Sequence, residues 1–271
     1  MKKEKTCKIV FSDIDGTLLT SDGQITEGTK EMILNLEKKG IPFILTSARS
    51  PEGVRVIKRM LGNHAPIIAF CGGLILDNDG NEIYSKMIPL KRALELKAML
   101  DKDFPAVACN TFGGEKWIVD DRDDWREQRE EKIVGFPAEI GSIKDTFETE
   151  GGIHKFLLMG DSDVMTKLAA VLARDFSDLQ SAASNPEYLE ITAAGVEKSE
   201  GLKTLCGKLG ISPEEAAAFG DGESDLSMMR AAGFGVAMGN APENVRRRAP
   251  MVIGKNDEEG LLKRLKEIFK D

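Results

Sequence analysis

The first residues in the chain whose types and spacing can do chemistry are Asp13 and Asp15, in Asp13-Ile14-Asp15-Gly16-Thr17-Leu18. They follow a short apolar run, residues 8–12, whose length and β-branched content suit a buried strand. Ligands of open parallel sheets bind outside the carboxyl ends of the strands. An i, i+2 pair just past a strand end can leave the extended alternation, so both carboxylates can face one crevice. Carboxylates so close repel. They are tolerated when a cation lies between them or when one keeps its proton. Either outcome serves phosphoryl transfer: one carboxylate attacks phosphorus, and the other, with a raised pKa, protonates the leaving oxygen. Gly16 lets the chain turn with positive φ. An Asx-rich turn or a calcium loop is the rival account. The calcium template D-x-[DN]-x-[DN]-G fails, because Thr17 and Leu18 stand at its fifth and sixth positions.

Three other strand ends carry matching groups. Gly220-Asp221-Gly222-Glu223-Ser224-Asp225 follows one strand-like run and precedes a helical one. Asp221 there can share a hard cation with Asp13, and Mg²⁺ suits such oxygen ligands. Asp225 is a further candidate, although it or Ser224 can equally cap a helix. Ser47 ends the second apolar run, where a hydroxyl and an adjacent backbone N–H can hold a phosphoryl oxygen. Lys198, before an amphipathic helix with Leu202, Leu205 and Leu209, can neutralise a phosphate. Taken singly, a strand-end serine and a loop lysine are more often ordinary polar residues.

The elements that position these groups are legible as a pattern. Strand-like runs at 8–12, 41–45 and 66–70 alternate with helical segments at 26–39 and from Ser50-Pro51 to Leu61, with short connections. That alternation predicts βαβ units and a parallel sheet. It returns near the C-terminus, with strands at 216–219 and 234–238, an edge strand at 251–253, and helices at 224–232 and 261–269. Between them the order is irregular. A hairpin at 74–84, helices at 90–100 and 163–176, and strands at 107–111, 116–119, 153–159, 179–183 and 188–192 suggest an inserted α+β segment. The charged stretch 120–132 reads as a solvated face. The expected organisation is a core domain from residues 1–84 and 193–271, interrupted by a second domain at 85–192. The expected fold class is α/β, a doubly wound, Rossmann-like parallel core sheet with an inserted α+β domain.

Composition narrows the function. The 271 residues carry a formal net charge of -8, with 41% hydrophobic and 30% charged residues. Two domains suit that length, since single cores stop growing at roughly 250–300 residues. The acidic balance argues against a general nucleic-acid binder. Cys7, Cys71, Cys109 and Cys206 are scattered and form no C-x-x-C, which excludes a zinc ribbon or redox pair and disfavours a disulfide scaffold. His64 and His154 have no metal-ligand spacing. The charged start, residues 1–5, has no signal-peptide apolar region, and no apolar run approaches the ~18–20 residues of a membrane span. A reducing cytoplasm is the expected location.

The ordered set Asp13-x-Asp15-Gly-Thr-Leu, strand-end hydroxyl, lysine, and Gly-Asp-Gly-x-x-Asp resembles the haloacid dehalogenase-like phosphatase superfamily. The inserted segment resembles the C2 cap of its Cof-type branch. The stretches 188–192, 233–241 and 256–260 are similar as well, so the likeness runs over nearly the whole chain. The resemblance implies that Asp13 is the nucleophile, forming an aspartyl-phosphate, and that Asp15 is general acid and then base. It implies that Ser47 and Lys198 hold the transferring phosphoryl group. Mg²⁺ would be bound by Asp13, the backbone carbonyl of Asp15, and Asp221, with Asp225 supporting the metal shell. The chain departs from the family pattern at Ser224 and Cys71, where asparagine is usual. In the second motif it reads Thr46-Ser47-Ala48-Arg49, which places the hydroxyl at Ser47 with Thr46 as the alternative. An inserted cap would exclude water and read the leaving group. Arg49, Lys155 and the segment around Arg122 and Trp125 are candidate readers, with core packing the expected role of Trp117 and Trp125.

These features predict a Mg²⁺-dependent phosphatase acting on a small phosphorylated metabolite such as a sugar phosphate. The alternatives are a phosphomutase or phosphotransferase using the same aspartyl-phosphate, and a non-enzymatic phosphometabolite sensor. The sequence does not set the oligomeric state.

Overall fold

The computed structural model describes residues 6–270, so the charged start at residues 1–5 lies outside the described residues. In chain order the first elements are β1 (Ile9–Ser12), α1 (Glu27–Lys38), β2 (Phe43–Thr46), α2 (Pro51–Leu61), β3 (Ile67–Ala69), β4 (Leu74–Leu76) and β5 (Glu82–Ser85). Then come β6 (Ile88–Pro89), α3 (Leu90–Asp103), β7 (Ala108–Gly113), β8 (Lys116–Val119), α4 (Trp125–Val134), β9 (Glu139–Ile140), α5 (Ile143–Phe147) and β10 (Gly152–Ile153). They are followed by β11 (Lys155–Met159), α6 (Ser162–Asp175), β12 (Leu179–Asn185) and β13 (Tyr188–Ala193). The chain ends with α7 (Lys198–Leu209), β14 (Ala216–Gly220), α8 (Leu226–Ala231), β15 (Phe234–Ala237), α9 (Glu243–Arg246) and α10 (Gly260–Phe269). Two compact units result. One extends to Tyr84 and resumes at Glu197, and the other is Ser85–Val196. The second boundary falls at Val196 rather than Thr192, because β13 continues through Ala193 and the Val196 N–H closes a turn onto the Ala193 carbonyl.

The first unit is built on one sheet in the order β15-β14-β1-β2-β3-β4-β5. Its β15/β14, β14/β1, β1/β2 and β2/β3 pairs are parallel, and β4 turns back antiparallel on β3. The chain leaves β1 toward β2 on one side and later lays β14 on the other. The strand order therefore reverses at β1, where open sheets form their ligand crevice. Local chemistry explains the helices that drive the crossovers. Ser50 caps α2 by accepting the Gly53 N–H, with Pro51 at the first helical position, and left-handed Gly62 stops it. Thr26 caps α1 in the same way through Thr29. Phe11, Ile44, Ile68 and Ala218 from the strands pack with Leu202, Leu205 and Met228 of α7 and α8, all fully buried.

Two readings of this unit change. Residues 251–253 form no strand, only a single bridge from Val252 to Ala237. The helix expected over 224–232 breaks into a tight turn, Glu223–Asp225, and α8, because Asp225 turns its carboxylate back onto the preceding amides.

The second unit contains a sheet in the order β12-β13-β11-β7-β8-β9, with a separate pair, β6 and β10. Its charged stretch is not wholly a solvated face. Asp124 accepts the Arg126 N–H at 2.8 Å and starts α4, which buries Glu127 and Val134. Trp117 is buried and stacks on Phe112, as expected. Trp125 is 63% exposed, with the Arg129 guanidinium over its ring, so it does not pack in the core. Lys155 is buried and pairs with Glu190 at 3.3 Å, and Arg122 pairs with Glu131 at 2.9 Å. Among the described residues no helix is long and apolar enough to cross a membrane.

His154 is buried in this unit as a neutral imidazole. Its Nδ1 accepts the Gly114 N–H at 3.0 Å and its Nε2 lies 3.1 Å from the Ser85 hydroxyl. Burial pushes its pKa down to about 4. The unfolded chain therefore binds the extra proton first, near the ordinary histidine pKa of about 6.5. Stability is fully present above that value and is lost as the pH falls toward 4, by up to about 3 kcal/mol. Both tryptophans, Trp117 and Trp125, lie in this unit, so their fluorescence reports its unfolding. The urea midpoint should fall between pH 7 and pH 4.5, and His154→Gln should remove most of that fall. An unchanged wild-type midpoint contradicts the neutral, buried imidazole.

Candidate active site

Asp13 directly follows β1. Its backbone N–H donates to the Phe219 carbonyl of β14 at 2.9 Å, which continues the β1/β14 ladder to the mouth of the crevice. Lys198, the first residue of α7, reaches the same place from the opposite flank. Its Nζ lies 2.5 Å from Asp13 Oδ1 and 2.5 Å from Asp225 Oδ1. All three side chains are buried. Asp225 uses its other oxygen to accept the N–H groups of Asp221 and Gly222, at 3.0 and 2.8 Å. Those two bonds fold the β14–α8 loop back on itself and bring Asp221 to face Asp13. Carboxylate oxygens of Asp13, Asp221 and Asp225 all lie within 4.8 Å of one another.

Two glycines make the closeness possible. Gly16 has φ +74°, and a Cβ there would lie 2.4 Å from Asp221 Oδ2. Gly72, at φ +102°, would place a Cβ 2.4 Å from the Glu197 carbonyl, so a side chain there would hold the start of α7 and Lys198 away.

Charge does not balance within this cluster. Three carboxylates face one ammonium, and both short contacts of Lys198 go to Asp13 and Asp225. Among the described residues the Asp221 carboxylate receives only the Thr17 hydroxyl, at 2.9 Å. Burial pushes the Asp13 carboxyl up to about 8, with Lys198 working against it and Asp225 and Asp221 adding to it. Burial likewise lifts Asp221 to about 6 against the Thr17 hydrogen bond, with Asp225 adding to the rise. For Lys198, burial opposes the charge, but the Asp13 and Asp225 carboxylates outweigh it and hold the ammonium well above its ordinary range. A pocket of oxygen donors with excess negative charge fits a small hard cation. Mg²⁺ takes such ligands and keeps several waters.

The remaining candidates are placed differently. Asp15 is not one of the three clustered carboxylates. Its side chain is 58% exposed and gripped by Arg49, with Nε to Oδ2 at 2.9 Å and Nη2 to Oδ1 at 2.7 Å. Ser47 is buried at the end of β2, but its own N–H donates to the Ile68 carbonyl and the Arg49 N–H donates to its hydroxyl oxygen. The Ser47 hydroxyl proton, not those amides, is what it can offer an anion. The Thr46 hydroxyl, the alternative, is buried with no hydrogen-bond partner among the described residues. Cys71 is half-buried in a left-handed turn at φ +55°, beside Lys198, and is not a core side chain.

Sequence reasoning did not assign the Arg49–Asp15 clamp, the Thr17–Asp221 bond or Asn240. The Asn240 side chain donates to the Gly16 carbonyl at 2.8 Å and fixes the turn that carries Asp15. A polar residue at the end of β15, another strand end of this rim, was the available signal.

Residues 10–265 match the family described as haloacid dehalogenase-like hydrolase. The chain belongs to that family. Phosphatase YwpJ of Bacillus subtilis is 30% identical, over 97% of this chain and 100% of its own length. The same organism's 5-amino-6-(5-phospho-D-ribitylamino)uracil phosphatase YcsE is 25% identical, over 98% of this chain and 97% of its own. A solved haloacid dehalogenase-like hydrolase from Bacteroides thetaiotaomicron matches with a TM-score of 0.87 at 26% identity, over 97% of this chain and 100% of that one. This hydrolase is an enzyme of the Cof-type branch, a phosphoric monoester hydrolase.

Gly16→Ala tests the packing at the crevice. The left-handed backbone alone costs about 1–2 kcal/mol for a residue with a Cβ, and the methyl group must also displace Asp221. Chemical denaturation should show at least that loss, together with a large fall in phosphatase rate. Wild-type stability and rate would mean that the Gly16–Asp221 approach is not needed.

Proposed function

We propose that the hydrolase releases phosphate from a small phosphomonoester, such as a sugar phosphate or similar phosphometabolite, through an aspartyl-phosphate on Asp13, with Mg²⁺ as cofactor. The observation that carries this reading is the contact of Lys198 with both Asp13 and Asp225 in a crevice that Asp221 also enters. A relative's name already couples this family to a phosphorylated ribityl compound, which supports the substrate class.

Each residue then has a task. An Asp13 carboxylate oxygen attacks phosphorus as the bond from phosphorus to the leaving oxygen breaks. Asp15 gives its proton to that oxygen. Water next attacks phosphorus, Asp15 takes the water proton, and the Asp13–phosphorus bond breaks to release phosphate. Lys198 and the Ser47 hydroxyl hold the phosphoryl oxygens. Asp13, Asp221, Asp225 and the Asp15 backbone carbonyl would hold Mg²⁺, which supplies positive charge against the phosphoryl oxygens. Arg49 grips the Asp15 side chain through two hydrogen bonds, so Asp15 must leave this clamp to reach the leaving oxygen. Arg49 is thus a positioning residue that sets where the Asp15 side chain rests.

Asp13→Asn should lower hydrolysis of p-nitrophenyl phosphate by at least about 10³-fold, more than the loss of a single acid–base group, with the fold retained by circular dichroism. A chelator should abolish wild-type activity and Mg²⁺ restore it. A near wild-type rate for Asp13→Asn refutes the nucleophile, and full activity in chelator refutes the cofactor. Release of phosphate, rather than interconversion of hexose phosphates, separates hydrolysis from phosphomutase action.

A further inference from the structure

A second concave site lies in the first unit, between the later turns of α2 and the turn that joins β4 to β5. It encloses about 440 Å³, within the roughly 300–1,000 Å³ range of small-molecule sites. Arg55, Lys58 and Arg59 line it from one face of α2, at i, i+3 and i+4. Ile67 and Leu76, paired across β3 and β4, supply buried apolar lining, and His64 stands beside them. On the far side a Cβ at Gly80 would lie 3.8 Å from Arg55 Nη2, so the turn and the guanidinium face each other across the cleft. This is not the catalytic crevice. The Asn63 side chain donates to the Phe43 carbonyl at 2.6 Å, which ties this end of α2 to the first residue of β2, whereas Asp13 follows the last residue of β1.

The acids around the cleft are already engaged. Asp77 accepts from the N–H groups of Asp79 and Asn81 and from the Asn81 side chain, at 2.9, 2.8 and 3.0 Å, and these bonds hold its carboxyl below the usual range. Glu52 pairs with Arg59 at 2.8 Å and Arg55 at 3.6 Å. Glu37 accepts the His64 N–H at 3.2 Å. The Lys58 side chain makes no hydrogen bond or ion pair among the described residues. Partial burial, and then the like charge of Arg55, push its pKa down. The end dipole of α2 favours a cation in its last turn. It does not explain why three converge on a hollow with an apolar floor.

We propose that this cleft binds a small phosphate-bearing molecule, with the phosphate on Lys58, Arg55 and Arg59 and the apolar part on Ile67 and Leu76. Charge-assisted hydrogen bonds of arginine and lysine to phosphate are the strong class. The site is independent of the catalytic carboxylates, so it serves as a second, non-hydrolytic anion site on the same unit.

The two histidines make the test specific. His154 is buried in the other unit, so the His64 ring proton signal in NMR reports this cleft alone. The whole protein, kept in chelator, is titrated with phenyl phosphate and separately with inorganic phosphate. The His64 signal should move saturably, with Kd at least threefold lower for phenyl phosphate, while the His154 signal stays fixed. Lys58→Gln should raise Kd at least tenfold, with Arg59→Gln as the second variant should the first not fold. Asp221→Asn should leave Kd unchanged. Equal response to sodium chloride at matched ionic strength, equal affinity for the two phosphates, or an unchanged Kd in the folded α2 variants overturns the proposal.

Discussion

The Lys198 ammonium, shared between Asp13 and Asp225, is the contact on which the geometry of the first unit's crevice depends. Without it, the buried carboxylates of Asp13 and Asp225 and the half-buried one of Asp221 would repel one another in a place where burial already disfavours charge. With it, two of them are held as a structural pair and the third, Asp221, is left under-compensated. Losing one partner from such a buried set typically costs about 3–5 kcal/mol, because the remaining charge has no solvent. The arrangement is therefore not a source of stability. It keeps anions crowded at the place where the proposed mechanism would hold a phosphoryl group and a divalent ion.

The parallel sheet sets where that crowding can occur. Strand order reverses at β1, so β14 and β2 flank it while their crossover helices depart in different directions. The loops after β1 and β14 thus open into one crevice, and α7 delivers Lys198 to it from the sheet face. Backbone details finish the geometry. Gly16 and Gly72 remove the Cβ atoms that would keep Asp221 and α7 at a distance. Asp225 spends one oxygen on two amides and the other on Lys198, so it shapes the loop and supplies charge at once.

Much of this was legible in the sequence. Carboxylates just beyond apolar, β-branched runs, with capped helices between, specify both a parallel sheet and the rim that bears the acids. Ser50-Pro51 named the start of α2 because the cap and the fixed proline φ act locally. The lost parts are those decided by distant contacts. Asp15 sits two residues from Asp13, yet Arg49 draws its side chain toward solvent, and no local pattern encodes that pairing. Helix α4 carries so few apolar residues that its periodicity is faint, and burial of Glu127 and Val134 against the second unit's sheet decides it instead. Trp125, a large aromatic expected inside, stands exposed with the Arg129 guanidinium over its ring.

The proposed function requires that the Asp13, Asp221 and Asp225 cluster be short of positive charge and be completed by a divalent cation. Calorimetric titration of the metal-free protein with Mg²⁺ at neutral pH tests it most directly. The account predicts one saturable equivalent, proton release as raised carboxyls ionise, and at least tenfold weaker binding in Asp221→Asn. Absence of saturable binding, or equal affinity in the variant, would contradict it.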